Sequence, residues 1–410
     1  MVTGLGVVSG LGWGVAPFQA ALRAGRTGLG AFTRFDHSGH RTHIAAQVPD
    51  PPPALAARYP RWRRLSLADR FALAAADEAL AQPGLLPLSE RADPSRVGVF
   101  FGSSTGGMWE GELFFADLLA GRARLALLAS QPVSGPGDAV ARHLGVTGPV
   151  ETLSSACSSA SLALGTALDA LRAGEVDIAV AGGADSLCQL TYAGFNALRA
   201  VSEIPCRPFR AGREGLSIGE GAAVLLLEPL DRAVARGAVP LAELAGAGAS
   251  CDAHHMTAPD PSGQGAAAAV AAALADAGME SGEIDFLNAH GTGTPLNDAA
   301  EWRAFERIFG ERLKDLPLAA TKANVGHLLG SAGAIEAVAT VLCLTAGEVH
   351  PTPGAGAVDP DLPVQLVQGT PLALAARAAV STNLAFGGSN AALVFSHAPV
   401  GQATTAGRDS

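Results

Sequence analysis

Residues 150–173 read VETLSSACSSASLALGTALDALRA, and this stretch decides how the chain folds. A short run with β-branched residues leads into a small polar turn, and an apolar helical pattern follows from Ser155 onward. Leucine and alanine cover most of the helical wheel, so the pattern predicts a helix that is buried on nearly all sides. The stretch therefore predicts a strand, a turn and a buried helix, with Cys157 at the first turn of that helix.

Apolar strand-like runs alternate with alanine-rich helical patterns on both sides of this unit. The runs are RVGVFFGSS (96–104), VDIAVAGGADS (176–186), EGAAVLLLEP (220–229), PLAELAGAGAS (240–250), IDFLNAHGTGT (284–294) and AVSTNLAFGGSNAALVFSH (379–397). Such alternation predicts α/β layers, and glycine-rich turns at the ends of strands are where α/β folds bind ligands. We place a boundary between two parts of the chain near residue 250.

The composition excludes several classes of protein. Among 410 residues, 48% are hydrophobic and 16% are charged, which suits one large or two medium globular domains. Five widely separated cysteines argue against a disulfide framework or a zinc ribbon, and the formal net charge of −10 argues against nucleic-acid binding.

Targeting signals are also missing from the pattern. The first twenty residues carry no Lys or Arg, which opposes a signal peptide, and the apolar runs are too short to span a membrane. We expect a cytoplasmic protein without a membrane partner. The first strand pattern begins at once at Val2, which suggests that the natural start lies upstream.

Cys157 is the candidate nucleophile. The N-terminus of a helix offers unpaired N–H groups and the positive end of the helix dipole, which lower the pKa of a thiol placed there. The same N–H groups can hold the oxyanion that forms when sulfur attacks a carbonyl. Small residues flank Cys157 and leave room for a substrate, whereas we interpret the other four cysteines as small buried hydrophobes.

Two of the ten histidines stand in unusual settings and are candidate partners of the thiol. His290 follows a strand pattern and precedes a Gly-Thr-Gly-Thr turn, and His327 precedes a helix that begins with glycines. The adjacent pair His254 and His255 lacks nearby ligands at suitable spacing, so we predict no metal centre.

Four motifs follow one another in the chain: SSACSSA around Cys157, NAHGTGTP around His290, KANVGHLLGSAG around His327 and NLAFGGSN near the C-terminus. Together they resemble the β-ketoacyl-acyl-carrier-protein synthases of the elongating Cys-His-His kind, from about residue 2 to residue 397. The resemblance implies a thiolase-type α/β fold, a five-layered αβαβα sandwich of two similar halves. Residues 1–250 would carry the nucleophile and residues 251–410 both histidines, and a dimer would form side by side through the N-terminal half.

The resemblance also implies a mechanism. Cys157 would take an acyl chain as a thioester, and malonyl carrier protein would then lose carbon dioxide so that its enolate attacks this thioester. His290 and His327 would donate N–H groups to the malonyl thioester oxygen, where negative charge develops. The backbone N–H groups of Cys157 and Phe386 would hold the acyl oxyanion. No bound cofactor is implied, because the phosphopantetheine arrives on the carrier protein.

Further residues receive supporting roles from the resemblance. Lys322 and Glu336 match an ion pair beside the histidines, although each could be an ordinary surface charge. Thr292 and Thr294 match positions that bind the pantetheine amides, or they merely cap a turn. The remaining substrate-binding positions are Phe195 along the acyl tunnel, Met108 at the tunnel of a neighbouring subunit, and Gly387 and Gly388 beside Phe386.

Phe386 matches a gating phenylalanine whose loop moves to admit malonate. The family pattern has a glycine directly before this residue and an aromatic residue before that glycine, whereas this chain has Ala385 and Leu384. Alanine restricts the backbone more than glycine does, so we expect a stiffer gate.

Carrier proteins are acidic, and an acidic chain needs a local basic patch to bind one. The run RYPRWRR (58–64) supplies part of such a patch, and further arginines stand where the family has docking cations. The candidate docking residues are Arg61, Arg63, Arg64, Arg122, Arg124 and Arg199. A solvated run of charges is an equally good interpretation of these residues.

Several alternatives follow from the same motifs. A degradative thiolase would have a second cysteine where this chain reads AFGGSN, and an initiating synthase would have asparagine in place of His327. A non-catalytic chain-length partner would lack Cys157. The chain could act as a homodimer in fatty-acid synthesis, or as the catalytic half of a heterodimer with a chain-length-factor subunit in a type II polyketide or polyene pathway; Asn288 before Ala289 and His290 favours a free-standing synthase.

Overall fold

The computed structural model describes residues 1–59, 62–81, 92–122 and 124–398, together with Leu88. The longer strands follow the apolar runs of the sequence, and short 3₁₀ turns connect many of the elements. The strands are β1 Val2–Ser9, β2 Gly12–Trp13, β3 Gly30–Ala31, β4 Ile44–Ala45, β5 Val97–Gly102, β6 Val150–Leu153, β7 Ile178–Asp185, β8 Gly221–Leu227, β9 Glu243–Cys251, β10 Phe286–Asn288, β11 Pro317–Ala319, β12 Glu348–Val349, β13 Gln365–Leu366, β14 Leu372–Ala373, β15 Ala378–Leu384 and β16 Ser389–Ser396.

Helices separate most of the longer strands, as the alternating pattern predicts. The helices are α1 Val15–Arg23, α2 Pro53–Ala57, α3 Leu67–Leu80, α4 Met108–Leu119, α5 Gly135–Leu144, α6 Ser159–Arg172, α7 Gln189–Ala197, α8 Leu230–Ala235, α9 Gln264–Ala277, α10 Pro295–Phe309, α11 Lys322–Val325 and α12 Ala332–Ala346.

Two six-stranded mixed sheets have the same internal plan. The first has the order β2-β1-β8-β7-β5-β6, and the second has the order β13-β11-β10-β15-β16-β9. In each sheet a run of parallel strands joins an antiparallel edge, which begins at β8 in the first sheet and at β16 in the second. The chain therefore contains two similar α/β halves.

The helices complete five layers. Helices α3 and α5 cover the outer face of the first sheet, and α9 and α10 cover the outer face of the second. Helices α6 and α12 lie between the two sheets and contact both, and their alanine and leucine side chains form the central core. The predicted αβαβα sandwich is confirmed, and the near-continuous apolar character of the central helices follows from burial on both sides.

Glycine allows the central helices to approach the first sheet closely. A Cβ atom on Gly102 in β5 would lie 2.2 Å from the backbone nitrogen of Ala160 in α6. A Cβ atom on Gly183 in β7 would lie 3.0 Å from the Cα atom of Ser331, just before α12. The beginnings of α6 and α12 are therefore packed directly against the carboxyl ends of β5 and β7.

One apolar helical stretch, Leu329–Ala346, is long enough to cross a membrane. It is almost entirely buried between the two sheets, so it packs as a core helix of this fold. The chain passes from the first sheet to the second between residues 227 and 243. The boundary near residue 250 stays a prediction.

Candidate active site

Cys157 lies in the turn between β6 and α6, two residues before the helix begins. Ala156 has a φ of +47°, a left-handed conformation that is uncommon for a residue with a Cβ atom. The Ser159 hydroxyl donates to the carbonyl of Ala156 at 2.6 Å, and the backbone N–H of Ser155 donates to the Ser159 hydroxyl at 2.8 Å. This small polar turn holds the buried thiol at the helix N-terminus.

His327 is in direct contact with the thiol. Its Nε2 atom lies 3.0 Å from the sulfur of Cys157, although the two residues are 170 positions apart in the chain. The backbone N–H of Leu329 donates to Nδ1 of His327 at 3.1 Å. Since Nδ1 accepts this bond, the ring proton of the neutral imidazole is on Nε2 and faces the sulfur.

His290 follows β10, and its ring meets the ring of His327 edge to face, with centroids 5.3 Å apart. The ammonium of Lys322 donates to Nδ1 of His290 at 2.9 Å and also pairs with the carboxylate of Glu336. Nδ1 of His290 therefore accepts, so its proton is on Nε2, as in His327. All three side chains are buried, and Lys322 and Glu336 are not surface charges.

Burial keeps both imidazoles neutral. It lowers the pKa of His290 well below its usual value, and the charge of Lys322 lowers the pKa further. Burial also lowers the pKa of His327 well below its usual value, with a second contribution from the Lys322 charge. The site thus contains two neutral imidazoles that can act as N–H donors.

The thiol is less acidic than the helix N-terminus alone predicts. Burial raises the pKa of Cys157 to about 11, while the Lys322 charge and the backbone N–H of Phe386 act in the opposite direction. The expectation of a lowered pKa was wrong, because Cys157 is 7% exposed and burial outweighs both the Lys322 charge and the N–H of Phe386.

Two further side chains hold His290 in place, the donor Asn383 and the acceptor Glu301. Asn383 lies within the NLAFGGSN motif, and its amide donates to the Glu336 carboxylate at 2.6 Å and lies 3.3 Å from Nδ1 of His290. The buried carboxylate of Glu301 accepts the backbone N–H of His290 at 2.7 Å and that of Gly291 at 2.8 Å. Burial raises the pKa of Glu301 to about 7, and these hydrogen bonds oppose the shift.

The sequence analysis missed Asn383, Glu301 and Asp185, a buried acid at the end of β7. A signal for Glu301 exists: it shares the buried face of α10 with Asn297 and Asp298, and polar residues at this spacing after a glycine turn indicate backbone-binding side chains. Asn383 lies in the stretch NLAFGGSN and Asp185 in the stretch VDIAVAGGADS, but only the tertiary contacts show which residues they bind.

A cavity of about 280 Å³ opens onto Cys157, His290 and His327. Thr292 and Thr294 line it, and their hydroxyls lie 2.9 Å apart. Thr294 also accepts the backbone N–H of Asn297 at the start of α10, so it both caps a helix and faces the cavity.

Phe386 and Phe195 narrow the cavity from two sides. Their rings lie 5.6 Å apart between centroids, and both residues line the cavity. Gly387 and Gly388 have φ values of +85° and +80°, and the N–H of Gly387 donates to the carbonyl of Met256 at 2.7 Å. Ala385 has a φ of −112°, an extended conformation that alanine adopts without strain.

Met108 does not line this cavity. It begins α4, and its sulfur lies 3.5 Å from the sulfur of Cys188. Its role at a tunnel of a neighbouring subunit stays a prediction.

The candidate docking arginines are separated on the surface. Arg199 lines the mouth of the cavity, and Arg63 and Arg64 are exposed in the 3₁₀ turn before α3. Arg122 and Arg124 both pair with the buried carboxylate of Asp117, which compensates part of their charge. Arg61 lies outside the described residues.

Cys157, His290 and His327 could together approach a metal ion, because their ligand atoms lie within 4.8 Å of one another. The hydrogen bonds oppose this use. Each Nδ1 atom accepts a donor, Leu329 N–H or the Lys322 ammonium, so both Nε2 atoms present a proton and not a lone pair to the cavity. The donor set fits anion stabilisation better than metal ligation.

Comparisons with known proteins agree with this geometry. The family model described as "Beta-ketoacyl synthase, N-terminal domain" matches residues 1–233, and "Beta-ketoacyl synthase, C-terminal domain" matches residues 241–355. The chain is 36% identical over 402 residues to "Nodulation protein E" of Rhizobium meliloti (strain 1021), which covers 96% of this chain and 98% of the relative. It is also 36% identical over 404 residues to "3-oxoacyl-[acyl-carrier-protein] synthase 2" of Staphylococcus aureus (strain COL), which covers 96% and 97%.

Solved structures have the same fold. "The ishigamide ketosynthase/chain length factor" matches with a TM-score of 0.92 and 35% identity, covering 97% of this chain and 98% of the other. A structure described as "AntDE:AntF (apo): type II PKS acyl-carrier protein in complex with its ketosynthase bound to the hexaketide" matches with a TM-score of 0.87 and 28% identity, covering 97% and 98%.

Proposed function

We propose that this chain, which belongs to the β-ketoacyl synthase family, condenses an acyl group bound to Cys157 with a malonyl group delivered on acyl carrier protein. The observation that carries the proposal is the convergence of a thiol and two imidazole N–H donors in one cavity. The relatives named 3-oxoacyl-acyl-carrier-protein synthase support the same reaction.

The first half-reaction acylates the thiol. The sulfur of Cys157 attacks the carbonyl carbon of an acyl thioester, the pantetheine sulfur leaves, and the thiol proton ends on that leaving sulfur. The backbone N–H of Phe386 points toward the reacting sulfur, and with the N–H of Cys157 it supports an assignment as the oxyanion hole. The proton passes from one sulfur to the other, so the step balances without an external base, although the raised pKa of Cys157 keeps its thiolate fraction low at neutral pH.

The second half-reaction forms the new carbon–carbon bond. The bond between the malonyl carboxylate and its methylene carbon breaks, carbon dioxide leaves, and the electron pair passes to the thioester as an enolate. The Nε2–H groups of His290 and His327 stabilise the developing charge on the enolate oxygen. The methylene carbon then attacks the acyl carbon, and Cys157 leaves as a thiolate that takes a proton from solvent.

The substrate contacts follow from the cavity. Thr292 and Thr294 bind the pantetheine amides at the polar side of the cavity, while Phe195 and Phe386 line the acyl side. Gly387 and Gly388 follow Phe386 and shape its loop. The phosphopantetheine is part of the substrate, so the chain uses no cofactor of its own. The reaction takes place in the cytoplasm, where malonyl carrier proteins are made.

Two partners are proposed. An acyl carrier protein docks on the exposed candidate arginines, of which Arg199 lines the cavity, and a second subunit of the same fold packs on the edge of the first sheet. Edge strand β6 pairs only with β5 within the described residues, and Val150 on this strand is exposed. Phe115, Leu119 and Leu125, in α4 and the turn after it, are also exposed. A second copy and a chain-length-factor subunit both fit this surface.

Intact-mass spectrometry tests the proposal. The purified protein is incubated with a panel of acyl-carrier-protein thioesters and then with malonyl carrier protein, alone and with a candidate partner subunit. We expect an acyl adduct that is absent in Cys157→Ala and that is replaced by a β-ketoacyl product after malonyl addition. No adduct under any of these conditions would overturn the role of Cys157, whereas an adduct that requires a partner would establish the heterodimer.

A further inference from the structure

The carboxylate of Asp185 is fully buried at the end of β7. Its Oδ1 atom accepts hydrogen bonds from the Ser103 hydroxyl at 2.8 Å and from the backbone N–H groups of Ser104 and Thr105 at 2.9 and 2.7 Å. These donors belong to the turn of residues 103–106 that follows β5. A buried carboxylate needs such donors, so this oxygen fixes the conformation of the turn.

The second oxygen of Asp185 binds a segment of the other half of the chain. Its Oδ2 atom accepts the backbone N–H of Ser331 at 3.1 Å, and the Ser331 hydroxyl donates to the carbonyl of Leu328 at 2.8 Å. Leu329 lies between these residues, and its N–H holds Nδ1 of His327. This oxygen therefore fixes the segment that orients His327.

The turn of residues 103–106 also contacts the segment that carries Cys157. The Ser104 hydroxyl donates to the carbonyl of Ala156 at 3.2 Å, and Ala156 directly precedes Cys157. Gly330 packs on the same turn, since an added Cβ atom would lie 2.6 Å from the Ser104 nitrogen. No side chain thus separates the segment of His327 from the turn that supports Cys157.

We infer that Asp185 is a positioning residue, which sets the distance between the sulfur of Cys157 and the ring of His327. Oδ1 acts on the nucleophile through the turn of Ser104, and Oδ2 acts on the histidine through Ser331 while also accepting the N–H of Ser104 at 3.1 Å. The two catalytic residues come from different halves of the chain, and a single rigid carboxylate links both. The inference rests on the proposed function, because it takes Cys157 and His327 as the reacting pair.

The isosteric substitution Asp185→Asn distinguishes the contacts with the turn of residues 103–106 from the contact with Ser331. In Asp185→Asn, the amide oxygen in the place of Oδ1 still accepts from Ser103, Ser104 and Thr105. The amide nitrogen in the place of Oδ2 would face the N–H of Ser331, which loses its acceptor there, whereas the N–H of Ser104 loses only the longer of its two contacts. We expect decarboxylation of malonyl carrier protein to fall about 10- to 100-fold, because a displacement of about 1 Å costs about this much, with acylation of Cys157 changing less than about threefold. Ser104→Ala removes the hydroxyl that donates to the carbonyl of Ala156, and it should slow acylation more than decarboxylation.

A matched control excludes a merely structural role. Glu228 is also a buried carboxylate, and it accepts the Thr3 hydroxyl and pairs with Arg236 just beyond the far end of β8, where Leu227 pairs with Ala179. Glu228→Gln should lower the melting temperature and leave both half-reactions unchanged. The inference is overturned if Asp185→Asn behaves in the same way. A wild-type protein that neither acylates nor decarboxylates would instead overturn the proposed function, before any substitution is compared.

Discussion

The ammonium of Lys322 lies 2.9 Å from Nδ1 of His290, so a positive charge, and not a carboxylate, faces the back of this imidazole. A carboxylate in that place would stabilise an imidazolium and favour proton transfer. The Lys322 charge has the opposite effect and contributes to the lowered pKa of His290. The arrangement suits a neutral N–H donor that stabilises an enolate without giving up its proton.

Lys322→Met tests the role of Lys322 in keeping His290 a neutral N–H donor for decarboxylation. The substitution removes the donor to Nδ1 and leaves the Glu336 charge beside His290, so the pKa of His290 should rise. We expect decarboxylation to fall about 10²-fold, as for loss of one oxyanion donor, and its rate to acquire an acid limb near neutral pH. The measurement is the pH dependence of carbon dioxide release. Acylation of Cys157 is measured beside it, because loss of the Lys322 charge also raises the pKa of that thiol.

A second variant separates this effect from instability. Breaking a buried ion pair costs about 3–5 kcal/mol, so Lys322→Met alone should also unfold more readily. Lys322→Met with Glu336→Gln removes the unpaired charge and should recover most of the free energy of unfolding but not the decarboxylation rate. Recovery of both would contradict the assignment of Lys322 to His290.

The reactivity of Cys157 should depend steeply on pH. Burial raises the pKa of this thiol to about 11, so the thiolate fraction rises about tenfold per pH unit over the whole neutral and mildly alkaline range. Cys251 is exposed and would react as well, so the measurement is made in a Cys251→Ser background. We expect the rate of iodoacetamide alkylation to rise from pH 7 toward pH 10 without a plateau. A plateau below pH 8 would show that the helix N-terminus outweighs burial.

Local sequence patterns predicted the parts of the site whose residues lie close together in the chain. Cys157, His290 and His327 each lie in a glycine- or serine-rich turn at an element boundary, and the pattern of residues there predicted both the turn and its place. Phe386 also lies in such a turn, but only the resemblance assigned it a role. The alternation of apolar runs predicted the two α/β halves for the same reason, since periodicity reports which faces are buried.

The features that the sequence did not predict depend on contacts between residues far apart in the chain. The pKa of Cys157 follows from burial between the two halves, which no local pattern contains. Asn383 bonds Glu336 and Asp185 bonds Ser331 over separations of 47 and 146 residues, so neither partner is readable from spacing. Lys322 and Glu336 were separable from surface charges only by the resemblance, because a helix with one acid looks the same whether that acid is buried or exposed.

Ala385→Gly tests the gate. Ala385 adopts an extended conformation without backbone strain in this structure, where the ring of Phe386 lies 5.6 Å from that of Phe195 between centroids. Glycine would widen the range of conformations open to the loop and should cost about 0.5–1 kcal/mol of stability. If loop movement limits entry of malonyl carrier protein, the condensation rate rises while acylation does not change. Single-turnover measurements of the two steps distinguish this from a general change in activity, and an unchanged condensation rate would show that Ala385 does not restrict the gate.

Charge reversal of Arg63 and Arg64 tests the docking surface. Arg63 and Arg64 are both exposed, whereas Arg122 and Arg124 each form an ion pair with Asp117. We therefore expect Arg63 and Arg64 to contribute more to the binding of carrier protein. Arg63→Glu with Arg64→Glu should raise the KM for carrier protein about tenfold at low ionic strength with little change in kcat, because charges at the rim of an interface act mainly on association. The difference should shrink as salt is added, since the screening length falls to about 8 Å at 0.15 M.

Arg377→Glu supplies the matched control for this reversal. Arg377 is exposed just before β15, whereas the cavity lies at the opposite end of that strand, beside Leu384 and Phe386. Its reversal changes the net charge by the same amount per residue but far from the cavity mouth, so KM should stay within about twofold of wild type. Equal effects of the two reversals would mean that carrier protein responds to total charge and not to a local patch. An unchanged KM in the Arg63 and Arg64 variant would move docking to Arg199, whose side chain already lines the cavity mouth.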